Sequence, residues 1–194
     1  ALDLKNIELL QVKKKRKRKK KVKIRVIFLT ILLIAFKSSA YSSNNSPFKN
    51  LVILTDPKEY KEIIFKDING KNLSLNDFES DIYILNFWAT WCLPCKEEMP
   101  SLNNLQSKKN LEVIPINVEI QNKKKSQKFF KDLNINNLSI YFDDENNLAN
   151  LFKLRGIPTT IIFNKKRDEV ARILGEFNFT DKKFTDWLEN ININ

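Results

Sequence analysis

Residues 82–100 read IYILNFWATWCLPCKEEMP, and the fold is decided there. Ile82 to Trp88 is a run of apolar and β-forming residues, interrupted only by Asn86, the pattern of a parallel strand buried on both faces. A short turn follows, then Cys92-Leu93-Pro94-Cys95, then residues suited to a helix. These are the only cysteines in the chain. Two residues between them let one thiol reach the other, and a strand-to-helix junction is where such a pair becomes a redox site. A sulfur at the helix start sees unpaired backbone N–H groups and the positive end of the helix dipole, which favour thiolate over thiol. In such motifs the thiol pKa falls from about 8.5 to roughly 3.5–7.5. Cys92 is therefore expected to attack a partner's disulfide, and Cys95, one turn deeper, to resolve the mixed disulfide. Pro94 suits a first helical turn, where its missing N–H has no partner to lose. Pro100 inside the same helix predicts a kink. Glu97 and Glu98 are expected to oppose the thiolate, and Lys96 to offset part of that effect.

WATWCLPC followed by EEMPSL resembles the TlpA-like branch of the thioredoxin family, the membrane-tethered thiol:disulfide interchange proteins of bacteria, and is also similar to the cytochrome c maturation thioredoxins. The resemblance runs from about Phe65 to Trp187. It implies an α/β thioredoxin-like fold, with a central mixed β-sheet flanked by helices and an N-terminal β-hairpin extension. It places the nucleophile at Cys92, the resolving cysteine at Cys95 and the preceding tryptophan at Trp91. It also implies that Pro158, in Gly156-Ile157-Pro158-Thr159, is a cis-proline packed beside the cysteines, with Ile157 offering backbone groups to an incoming peptide. On the central strand, thioredoxins proper carry a buried aspartate that takes the proton of the resolving cysteine. Here that position is Asn86, and an amide cannot do this. Glu119 is the candidate proton relay; its alternative reading is a solvated loop carboxylate.

Charge divides the chain. Residues 1–40 hold 13 Lys+Arg against 2 Asp+Glu, while residues 41–194 hold 21 of each, so the whole net charge of +11 sits in the first forty positions. The remainder lacks the basic excess that nucleic-acid binding requires. The run Lys123 to Lys125 reads as solvated surface. Val26 to Phe36 is an uncharged apolar run of 11 residues behind a nearly continuous basic stretch. That is too short for the roughly 20 residues of a spanning helix and closer to a signal-peptide core. Export is the expectation, with the domain outside. Cleavage after Ala40, leaving a periplasmic protein, and retention as an inner-membrane anchor both remain open. Residues 41–57 read as a Ser/Asn-rich linker and 58–194 as the domain.

Within the domain, Lys61 to Lys71 predicts a hairpin turning at Asn69-Gly70. Strands are predicted at Leu111 to Val118, Leu138 to Phe142, Thr159 to Phe163 and Val170 to Leu174. Pro115 is a feature normally confined to edges or bulges. Helices are predicted at Lys124 to Leu133, Asn146 to Leu154 and from a Thr180 cap through Leu188.

The chain contains no histidine, which removes a Cys–His catalytic pair, and two cysteines alone cannot close a four-ligand zinc shell. No cofactor or metal is expected. The function expected is an exported thiol:disulfide oxidoreductase that reduces periplasmic partners in cytochrome c or copper-centre assembly. The resemblance implies a transmembrane thiol donor upstream; a monomer is the default. The alternatives are a Cu(I)-handling domain, since soft thiolates suit that ion, and a thiol peroxidase of the same fold.

Overall fold

The computed structural model describes Ser46, residues 48–143 and residues 145–191. The expectations for residues 1–40 fall outside that range. Eight strands form one sheet: β1 (Leu51–Lys58), β2 (Ile64–Asp67), β3 (Asn72–Ser74), β4 (Ile82–Trp88), β5 (Leu111–Asn117), β6 (Tyr141–Phe142), β7 (Thr159–Phe163) and β8 (Glu169–Leu174). The helices are α1 (Leu93–Leu105), α2 (Lys123–Asp132), α3 (Asn147–Leu151) and α4 (Lys182–Asn190). The spatial order is β1-β8-β7-β4-β5-β6-β2-β3. β4, β5 and β6 run parallel and every other pairing is antiparallel, so the sheet is mixed, as expected.

β4 lies between β5 and β7 and is buried at all seven positions. Its side chains alternate between two cores. Ile82, Ile84 and Trp88 join Met99, Leu102 and Leu105 of α1, Phe129 and Phe130 of α2, and Phe184 and Leu188 of α4. Tyr83, Leu85 and Phe87 join Phe65, Phe152 and Phe163 in the other. An apolar strand in the middle of the sheet thus holds both layers, and its C-terminal end delivers the chain to Cys92.

The hairpin forms as predicted. Gly70 adopts φ +85°, and Asp67 Oδ1 accepts the N–H groups of Asn69 and Lys71. Three expectations need correction. The stretch ending at Pro57 is not all linker: Leu51, Val52 and Ile53 pair with Ile173, Arg172 and Ala171 at the sheet edge. The apolar run LVIL outweighs its polar surroundings, and an edge strand tolerates Pro57. Pro115 does not mark an edge, since β5 pairs with β4 along its whole length. The N–H of Val118 points to β4 while that of Val113 points away to Gln106 Oε1. By alternation Pro115 also faces away from β4. On that side β6 pairing begins only at Ile116, so the missing donor costs no ladder bond. Finally, α4 is capped by Asp181, whose Oδ1 accepts the N–H groups of Lys183 and Phe184. Thr180 instead donates its hydroxyl to Asn178 Oδ1.

Candidate active site

Cys92 is the N-cap of α1, with Leu93 and Pro94 opening the helix. Cys92 and Cys95 are joined as a disulfide, their Cα atoms 5.3 Å apart. The Cys95 N–H donates to Cys92 Sγ at 3.2 Å. An unpaired donor of the first helical turn is therefore aimed at this sulfur, the arrangement that steadies a thiolate. Cys92 retains 5% exposure and Cys95 none, so of the two cysteines only Cys92 reaches the surface. Around it Trp91 and Leu93 stand out into solvent, 68% and 66% exposed.

The Ile157–Pro158 peptide is cis. Thr159, the first residue of β7, pairs with Phe87 near the end of β4. Pro158 therefore leads into β7 at the same end of the sheet at which the chain leaves β4 for Cys92. Ile157 packs against the core cluster that contains both cysteines. Thr159 donates its hydroxyl to the Gly156 carbonyl at 2.7 Å, and the Pro158 carbonyl accepts the Gly175 N–H at 2.9 Å. The loop is fixed from both sides.

Glu119 has no route to Cys95 among its contacts. Its carboxylate accepts the Thr90 N–H at 2.5 Å, the Thr90 hydroxyl at 3.1 Å and the Lys125 ammonium at 2.6 Å. Partial burial works to raise its pKa, but Lys125 and the two Thr90 donors outweigh that and hold the carboxyl below its ordinary value. A carboxylate kept charged in this way ties down the turn before Cys92.

The group that sequence reasoning missed is Glu98. It is 2% exposed, three residues after Cys95 on the buried face of α1. Its Oε1 accepts from Asn86 Nδ2 at 2.7 Å and its Oε2 from the Phe177 N–H at 3.1 Å. Burial pushes its pKa up to about 8, against the pull of both donors. It is therefore largely uncharged at neutral pH and does not oppose the thiolate as a fixed negative charge would. The signal was available: Cys95, Glu98, Met99, Leu102 and Leu105 follow the 3.6 period of one helix face, and Glu97 does not. Asn86 also donates to Thr160 Oγ1 at 2.9 Å, while its own Oδ1 has no partner. The described residues contain no cluster of three or more His, Cys, Asp or Glu able to hold a metal ion, and no helix long and apolar enough to cross a membrane.

Residues 58–170 match the family model described as the AhpC/TSA family. The chain belongs to the AhpC/TSA family. Among curated relatives, the thiol-disulfide oxidoreductase ResA of Bacillus subtilis is 26% identical over 164 residues, covering 83% of this chain and 89% of that protein. Among solved structures, a DsbF homologue from Corynebacterium diphtheriae superposes with a TM-score of 0.60 at 28% identity, covering 75% of this chain and 94% of the other. A secreted thiol-disulfide isomerase from Corynebacterium glutamicum gives 0.56 at 26% identity, covering 74% and 91%. Together with the bonded Cys-x-x-Cys pair at a helix start, these likenesses make this family member a thiol:disulfide oxidoreductase of thioredoxin-like fold.

Proposed function

We propose that the protein is exported and works as a reductant, transferring two electrons to disulfides of periplasmic proteins that need free thiols to accept haem or copper. The observation that carries the exchange chemistry is the Cys95 N–H aimed at Cys92 Sγ, with Cys95 itself fully buried. The reductive direction rests on the resemblance to membrane-tethered interchange proteins. The basic leader and apolar run at residues 13–36 support export, in keeping with the secreted relative.

In the first step the Cys92 thiolate attacks one sulfur of the partner's disulfide. The partner's S–S bond breaks, a mixed disulfide forms, and the released sulfur leaves as a thiolate that takes up a proton. Cys95 then loses its proton and attacks Cys92 Sγ. The Cys92–Cys95 bond forms, the mixed disulfide breaks, and the second partner sulfur leaves as a thiolate that takes up a proton from solvent. Two electrons pass to the partner. Glu98, one turn along the same buried face, is the group placed to receive the Cys95 proton when it is ionised, and that fraction grows as pH approaches its pKa of about 8. Asn86 positions it. Trp91, Leu93 and the Ile157 backbone flank the partner segment, with Pro158 beneath. A dithiol donor in the membrane resets the pair, and the domain acts as a monomer.

The test is reduction of insulin disulfides by wild type, Cys92→Ser and Cys95→Ser, with peroxide consumption followed in parallel. The reading expects no turnover from Cys92→Ser, and accumulation of a mixed disulfide through Cys92 in Cys95→Ser. Insulin reduction that survives Cys92→Ser overturns it. Rapid peroxide turnover without insulin reduction replaces it with the peroxidase alternative.

A further inference from the structure

Next to the cis-proline loop, on the side of the sheet edge formed by β1 and β8, lies a groove of about 350 Å³. Val52 and Leu174 give it an apolar surface, and both are exposed, at 38% and 52%. Lys58, Lys153 and Arg155 line it together with Arg172, and no carboxylate does. The four cations are not equivalent. Arg172 is neutralised from beneath by Glu169, which is 1% exposed and also accepts the Tyr60 hydroxyl. Lys58, Lys153 and Arg155 form no ion pair among the described residues, although Lys58 sits over the Tyr60 ring at 4.6 Å. Three positive charges without an ion pair among the described residues thus line an apolar surface, in a domain whose residues 41–194 carry no net charge. Exposed apolar surface rimmed by one sign of charge marks a place where something of the opposite sign docks.

Position gives the groove its meaning. Arg155 and Thr159, both at its wall, flank Gly156-Ile157-Pro158 in the chain. A side chain at Gly156 would meet no atom of the protein within 4 Å, and no positive φ demands a glycine there. The space beside the loop is left open from within. The groove wall thus adjoins, through Arg155 and Thr159, the loop that by resemblance offers backbone groups to an incoming peptide.

We propose that the groove is a second docking site for the protein substrate, taking an acidic stretch with an apolar side chain next to the substrate's cysteines. The proposal rests on the exchange reading above and adds to it a selectivity: partners with acidic flanks are reduced faster than others. The apolar side chain lies on Val52 and Leu174, and the carboxylates face Lys58, Lys153 and Arg155.

The experiment uses the full chain, reduced, as wild type and as the triple variant Lys58→Glu, Lys153→Glu, Arg155→Glu. Two peptides share one disulfide loop, flanked in one by leucine and aspartates and in the other by leucine and lysines. Each rate is divided by the same protein's rate on 2-hydroxyethyl disulfide, which removes any general loss at the cysteines. The basic leader is common to both proteins and cancels in the comparison. The proposal expects wild type to prefer the acidic peptide by about tenfold at low ionic strength and the triple variant to lose or invert that preference. The single variants Lys153→Glu and Arg155→Glu are expected to lose part of it. An acidic-peptide preference that survives the triple variant overturns the proposal. So does an unchanged preference accompanied by weakened binding of the variant to phosphatidylglycerol vesicles, which makes the groove a membrane contact. If wild type fails to reduce 2-hydroxyethyl disulfide at all, the exchange reading itself falls, and the docking site with it.

Discussion

Asn86 donates its side-chain amide to Glu98 Oε1 at 2.7 Å, joining the middle of the central strand to the active-site helix inside the core that holds both cysteines. In the proposed mechanism this pair takes the place of the buried aspartate that the resemblance to thioredoxins would put at position 86. The strand contributes the amide donor and the helix the carboxyl. Because the acid sits on the helix of the cysteines, its ionisation is felt at one turn's distance from Cys95.

The pH dependence of stability should carry the mark of Glu98. Its ordinary pKa is 4.5 and its folded value about 8, so between these the folded state binds more protons than the unfolded state, and stability falls as pH rises. The contribution is fully present below 4.5 and is lost by the time pH passes 8. Urea unfolding of the oxidised protein at pH 5 and pH 8 should show a decline of up to a few kcal/mol. Glu98→Gln keeps the acceptor and removes the titration, so the decline should flatten. The same variant should lose an inflection near pH 8 in the rate of insulin reduction. An unchanged profile in both readouts assigns Glu98 a packing role only.

Glu169 and Arg172 form a buried ion pair, completed by the Tyr60 hydroxyl and by the Phe152 carbonyl, which accepts from Arg172 at 2.6 Å. Arg172→Met leaves a buried carboxylate without its partner and should cost about 3–5 kcal/mol. Pairing it with Glu169→Gln should recover most of the loss, since the stranded charge is then gone. Denaturant midpoints of the single and double variants decide this, and additive losses would contradict the account.

Glu119 should behave opposite to Glu98. Its folded pKa lies below the ordinary value, so its contribution is present above pH 4.5 and is lost as pH falls through the lowered folded value. Glu119→Ala should destabilise the protein at pH 7 by about 1–3 kcal/mol and make the acid-side loss shallower. Because its contacts are to Thr90 and Lys125 rather than to Cys95, Glu119→Gln should leave the shape of the pH–rate profile above pH 6 intact. A displaced inflection there would restore Glu119 as a relay.

The central part of the fold was legible because local and global signals agree there. Residues 82–88 are apolar at nearly every position, Cys92 and Pro94 mark a helix start, and Asn69-Gly70 marks a hairpin. Signals fail where pairing partners are distant in sequence. Residues 51–53 become a strand only because β8, over a hundred residues on, offers them an edge. Pro115 misleads because its tolerance depends on where β6 begins. At the site, both cysteines and the proline of the 157–158 loop could be placed from motif and resemblance, but the buried carboxyl of Glu98 could not. Adjacent Glu97 and Glu98 look alike as charges. Helix phase separates them, exposing one and burying the other beside Asn86.

The most direct test of the reductive account is the equilibrium reduction potential of the Cys92–Cys95 couple against glutathione. A value below about −200 mV, toward the thioredoxin figure of about −270 mV, is the result predicted for a protein that keeps partner thiols reduced. A value near −120 mV would contradict the account and make this an oxidant that installs disulfides.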